Sequence, residues 1–199
     1  QIRGAGNLLG RDQSGHVAAV GYDLYVQMVS EAVSELKGEE PREPAEIKLE
    51  LPVVANLPSD YVAREDLRLE AYRRLATVTS PAEVDDIGAE WADRYGPPPP
   101  EAGALLEVAR LRAECVRTGV REVTVVANRR GPGRDGAGGT VRLSPITLPA
   151  SAQVRLRRRY PKGVYKEDLS QLVVPLPGDS PPVRAVIDLL GELVPAPAA

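Results

Sequence analysis

The order in which hydrophobic periodicities follow one another is the strongest constraint on what this chain can become. Apolar residues recur at helical spacing up to Gly119, alternate with polar ones after it, and return to helical spacing only beyond Pro182. Helices, then strands, then one helix argue for an α+β fold rather than alternating βαβ units. The expected architecture is a long helix after a Gly-rich loop, then a helical block packed on a small, mainly antiparallel sheet, with a C-terminal helix. Phe is absent and aromatics are only 4%, so the core is built from Leu, Val, Ala and Ile.

The elements are punctuated clearly. Val20, Leu24, Met28, Ala32 and Leu36 fall four apart and predict a helix over 17–37, closed by Gly38 at a C′ position. Residues 39–45 are a charged, Pro-bearing linker, and 47–51 alternate like a half-buried strand. Leu67, Ala71, Leu75 and Val78 mark a helix over 62–78. Ser80-Pro81-Ala82-Glu83 is a capping box with Pro at the first helical position. The helix it starts turns Val84, Ile87, Trp91 and Tyr95 inward and stops at Gly96. The run Pro97–Pro100 makes a rigid corner, and a further helix over 100–118 ends at Gly119. Residues 120–128, 140–146, 152–159 and 170–176 read as strands, with 129–139 a flexible hairpin-like loop. Ser180-Pro181-Pro182 opens a last amphipathic helix, and 196–199 reads as a disordered tail.

Composition excludes several classes. With 43% hydrophobic and 27% charged residues the chain is neither disordered nor collagen-like. The 18 Gly and 19 Pro imply long loops. A single cysteine, Cys115, and a single histidine, His16, leave no intramolecular disulfide, Cys-based zinc site or His cluster. No apolar run approaches the roughly 18 residues of a membrane helix, so no membrane partner is expected. The chain does not begin with Met and reads as a piece of a longer protein or a processed product. No GxxxxGK[ST] loop, DExx-type motif or Ser/His/Asp set is visible, so no catalytic residue and no cofactor or metal is assigned to this chain. Cys115 lies on an apolar stripe and reads as a small core residue, as does Trp91. Asp85-Asp86 and Glu39-Glu40 read as solvated pairs.

The opening string carries the sharper signal. Arg3-Gly4-Ala5-Gly6-Asn7-Leu8-Leu9-Gly10, followed by Gln13-Ser14-Gly15, has the wrong glycine spacing for a dinucleotide loop. It strongly resembles the translocation motif shared by RecG helicase and the bacterial transcription-repair coupling factor. The resemblance continues through Gly21-Tyr22-Asp23-Leu24-Tyr25, the segment 68–76, Asp93-Arg94-Tyr95-Gly96 and the segment 105–112. These look like the coupling factor's C-terminal part, and the resemblance weakens over 129–182.

The resemblance implies a parent that is an ATP-dependent translocase on double-stranded DNA, cytoplasmic, with ATP and Mg bound in motor domains upstream of this chain. It would displace RNA polymerase stalled at lesions and recruit the damage-recognition ATPase of excision repair. Residues 1–38 would be the translocation-motif loop and long helix, with Arg3, Gly4, Gly6, Gly10 and Gln13 coupling ATP hydrolysis to movement. Residues 39–58 would be a linker with one strand. Residues 59–195 would be a regulatory domain that packs on the N-terminal UvrB-like module and masks the repair-factor site. The residue chemistry agrees: glycines admit conformations closed to other residues, an Arg fork grips phosphate or carboxylate, and a Gln amide exchanges partners without titrating. Structural roles for Arg3 at a helix C-terminus and Gln13 at a helix cap remain open readings of the same residues.

Charge is unevenly spread. Residues 121–166 hold eleven basic and two acidic side chains, +9 locally, within a chain of net charge −3. Read as a strand, 152–159 places Arg155, Arg157 and Arg159 on one face opposite Val154 and Leu156, a possible interface. That face suits a charged edge strand, docking on an acidic module, or DNA contact. The competing identity is an unrelated α+β nucleic-acid-binding module that uses this basic region.

Overall fold

The computed structural model describes residues 47–127 and 138–195. The predicted helix over 17–37, residues 129–137 of the predicted loop 129–139, Glu39-Glu40, His16 and the tail 196–199 lie outside these residues, and Gly139 of that loop belongs to a strand. In chain order the elements are β1 (Lys48–Glu50), α1 (Glu65–Thr77), α2 (Pro81–Tyr95), α3 (Pro100–Thr118), β2 (Glu122–Ala127), β3 (Gly139–Ser144), α4 (Ala150–Arg159), β4 (Val164–Lys166), a 3-10 turn (Glu167–Leu169), β5 (Gln171–Pro175) and α5 (Pro182–Leu193). The fold is α+β, with one five-stranded sheet in the order β1-β2-β3-β5-β4. Only the β1–β2 pair is parallel, and the other three are antiparallel.

Local chemistry explains most boundaries. The Ser80 side chain accepts from the Glu83 backbone N–H, and the Glu83 carboxylate accepts from the Ser80 and Thr79 hydroxyls. Those hydroxyls hold the Glu83 carboxyl below its ordinary range. Gly96 and Gly119 end α2 and α3 with φ of 85° and 77°, a region costly for residues bearing a Cβ. Gly119 leaves one residue pair before β2, so α3 feeds the sheet directly.

Two cores result. The first is the inner sheet face: Leu49, Val123, Val125, Val141, Leu143, Leu172 and Val174, covered by α3, α4 and α5. The second gathers Leu57, Val62, Ala71, Leu75, Val84, Ile87 and Trp91 against the first half of α3. Helix α3 serves both, with Ala102, Leu105, Leu106 and Ala109 in the helical core and Val108, Leu111 and Cys115 in the sheet core. Ile47, Leu49 and Leu57 are buried, so the segment before α1 contributes to both cores.

An ion-pair string runs across the helices. Arg110 of α3 binds Asp85 of α2 and Glu107 of its own helix. Glu107 in turn lies 3.7 Å from Arg184 of α5, which pairs with Asp188. Asp85 therefore has a specific partner rather than solvent alone. Asp85, Arg184 and Asp188 at its ends are exposed, so the exposed Arg184–Asp188 link is worth at most about 1 kcal/mol, while the central Arg110–Glu107 pair is partly buried.

Leu105 and Leu111 are both fully buried, one in each core. Replacing either with Ala is expected to cost about 2–5 kcal/mol. Because both sit on one helix, each variant should lower the midpoint of a single urea transition. Two separate transitions would show that the cores unfold independently.

Candidate interaction surface

The basic segment 152–159 is the only sequence-predicted site that falls within the described residues. It is a helix, not the expected strand. The correction has a local cause. Ala, Gln, Leu and Arg are good helix formers, and Val154 is the one β-branched residue in the run. Pro149 precedes the first turn, and Arg157, Arg158 and Arg159 fill the last, where cations face the negative end of the helix dipole. Ala152 and Leu156, four apart, are the two buried residues, while Val154 is 65% exposed. The alternation V-R-L-R resembles a strand, and the Ala152–Leu156 spacing fits either element; the helix-forming composition and Pro149 just before the run were the signals for a helix.

The change of element separates the three predicted arginines. Arg155 and Arg159 share a face, whereas Arg157 points elsewhere. Arg155 donates from Nη1 to the backbone carbonyl of Glu192 on α5. Arg159 Nε lies 3.6 Å from Glu192 Oε1, and the Tyr160 hydroxyl donates to Glu192 Oε2 at 3.1 Å. Burial, then the Glu192 charge, pushes the Tyr160 hydroxyl up to about 12. Arg155 and Arg159 thus latch α4 to the end of α5. Arg157 and Arg158 are exposed and have no acid within 4 Å among the described residues. Arg3, Gly4, Gly6, Gly10 and Gln13 lie outside the described residues.

Elsewhere the polar groups are engaged structurally. Glu90 holds Arg74 at 2.7 Å and Arg94 at 2.8 Å. Arg94 also sits over the Tyr95 ring, 5.6 Å from its centroid. The Tyr61 hydroxyl donates to the Gly96 carbonyl at 2.9 Å, and Tyr72 accepts from the Leu57 N–H at 2.8 Å. Cys115 is buried, and burial pushes its thiol up to about 12, which makes it a poor nucleophile. Trp91 is a core residue, 2% exposed. Among the described residues no three His, Cys, Asp or Glu side chains gather as a metal site, and no helix is long and apolar enough to cross a membrane.

Comparison with known proteins bears on this arrangement. The TRCF domain family model matches residues 51–130. A transcription-repair-coupling factor of Mycobacterium bovis is 43% identical over 98% of the chain, and one of Myxococcus xanthus is 38% identical over 85%. The chain belongs to the transcription-repair-coupling factor family. It spans 16% and 15% of the lengths of these two relatives. A crystal structure of the C-terminal domain of a transcription-repair coupling factor has the same fold. It superposes with a TM-score of 0.56 at 16% identity, covering 74% of this chain and 89% of that one.

The TRCF match spans the whole helical core and β2, and the quoted segments 68–76, 93–96 and 105–112 lie on α1, α2 and α3. Helix α4 lies outside the matched segment. In this member of the transcription-repair-coupling factor family, a helical α4 has a direct test. Leu156→Ala should cost about 2–5 kcal/mol, whereas Val154→Ala should stay within about 0.5 kcal/mol, read by urea denaturation. Similar large losses at both sites would restore the strand, in which the two residues share a face.

Proposed function

We propose that this chain is the C-terminal piece of an ATP-dependent double-stranded DNA translocase. The longer protein displaces RNA polymerase stalled at lesions and recruits nucleotide excision repair from the cytoplasm. The observation that carries this reading is the 43% identity to a transcription-repair-coupling factor along nearly the whole chain. ATP and Mg belong to motor domains of the longer protein in this reading. Residues 1–38 couple hydrolysis to movement through Arg3, Gly4, Gly6, Gly10 and Gln13. Residues 59–195 regulate by packing on the N-terminal UvrB-like module and covering the docking site of the excision-repair damage-recognition ATPase.

Physical argument supports a binding role for 59–195. Among the described residues no acid–base constellation suited to catalysis gathers, and several charged groups are used structurally, such as Glu90 with Arg74 and Arg94. Such a body changes a motor's behaviour by binding its two global states unequally. A coupling of about 1–3 kcal/mol alters exposure of a hidden site roughly 5–150-fold.

Two measurements on the full-length protein check this reading. Deleting residues 59–199 should raise affinity for the damage-recognition ATPase by a factor in that range, and unchanged affinity would overturn masking. Arg3→Ala or Gln13→Ala should leave nucleotide binding intact and abolish translocation on duplex DNA. Normal translocation by both variants would remove the coupling role.

A further inference from the structure

With Arg155 and Arg159 turned to Glu192, the outward side of α4 has its own composition. Arg157 and Arg158 follow Val154 by three and four residues, so all three share one helix face. Val154 is 65% exposed, and Lys162 stands exposed in the turn just beyond the helix. Among the described residues no acid lies within 4 Å of Arg157, Arg158 or Lys162, as is also true of Arg73, Arg112, Arg121 and Arg142; what sets the first three apart is that they fall within six residues of chain, beside an exposed valine. An exposed valine with two unpaired arginines on its own helix face, and a lysine just beyond the helix, suits a segment that pairs carboxylates with aliphatic side chains. A bare phosphate backbone offers nothing to Val154.

The chain contains such a segment. Residues 31–46 carry six glutamates (31, 35, 39, 40, 43 and 46) against Lys37 and Arg42, a net charge of −4, with Val33 and Leu36 among them. The segment joins the body at β1. Helix α4 lies over β5: an added Cβ at Gly163 would sit 3.1 Å from Leu156 and 3.4 Å from Val174. Strands β1 and β5 are three places apart in the sheet, about 14 Å. With 17–37 read as a helix, the nine residues 38–46 alone extend to about 30 Å, more than the distance from β1 to β5. Covalent attachment gives such a segment an effective concentration on the order of millimolar, so weak screened ion pairs suffice.

We propose that the outward face of α4, centred on Val154, Arg157, Arg158 and Lys162, is a reversible docking surface for the acidic stretch 31–46 of the same chain. The contact ties the segment that follows the Gly-rich loop to the body of the fold. It stands apart from the masking role, because the two can fail separately.

Zero-length carbodiimide cross-linking of the 199-residue chain, read by mass spectrometry, tests it. At about 0.01 M ionic strength, where the Debye length is about 30 Å, Lys162 should couple to glutamates within 31–46. At about 1 M, where it is about 3 Å, that coupling should be lost. Arg157→Glu with Arg158→Glu should abolish it, and the milder Arg157→Gln with Arg158→Gln should reduce it, with circular dichroism unchanged. Mixing isotope-labelled and unlabelled chains should give no mixed products. Three results overturn the proposal: coupling of Lys162 only to nearby acids such as Glu167, mixed products that make a second copy the occupant, or no coupling of Lys162 to 31–46 at low ionic strength, with duplex DNA binding that requires Arg157 and Arg158 then marking the face as a DNA contact.

Discussion

Everything in this fold hangs on α3 being shared between two cores. A helix that serves one core needs one apolar stripe, whereas α3 buries nine residues over Pro100–Thr118 and must present apolar surface in two directions. The chain solves this without Phe. Ala102, Ala109 and Ala113 are fully buried and let neighbouring elements approach closely, while Leu105 and Leu111 fill the space between. The same economy appears where α2 crosses α3: a Cβ at Gly88 would come within 3.2 Å of Leu106 Cδ1. A mid-helix glycine costs about 1 kcal/mol against alanine, and close helix packing offsets it. Because α3 ends in a left-handed Gly119 and runs straight into β2, the orientation of the helical core also fixes where the sheet begins.

That sharing explains which parts of the structure were legible. The helices α1 to α3 and α5 follow from apolar spacing, and their ends follow from the Ser80 box, Gly96 and Gly119, all read from local chemistry. Strands β2, β3 and β5 alternate cleanly because only one sheet face is covered. Strand β4 was missed because three residues are too few for a period to show, and its place comes from pairing Tyr165 with Leu172 across the sheet. Helix α4 was misread because ten residues hold a strand-like V-R-L-R run, and only two of its side chains reach the core. The parallel pairing of β1 with β2 is likewise a tertiary fact, set by the three-helix crossover between them. The candidate interface suffered most, since a change from period two to period 3.6 redistributes every arginine.

The redistribution has a physical logic of its own. Helix α5 ends with an acid, Glu192, in its last turn and no base there, which places negative charge at the negative end of its dipole. Left alone, that end would fray. Helix α4 supplies what α5 lacks: Arg155 caps a free carbonyl, Arg159 faces the carboxylate, and Tyr160 donates to it. Exchanging either arginine for an acid would set three negative features together at one helix end, so those two positions are bound to the fold.

Arg157 and Arg158 answer to a different constraint. They contribute to the positive character of α4's own last turn, yet one cation there would suffice for the dipole, and Arg159 already provides it. Two further exposed cations beside a 65% exposed valine add mutual repulsion and leave apolar surface in water. Those costs are small for a single helix turn and are of the same size as the dipole's gain. A surface that is neutral for folding and organised in chemistry is best understood through what it touches, and an acidic stretch on the same chain is the partner whose local concentration is guaranteed by covalent attachment.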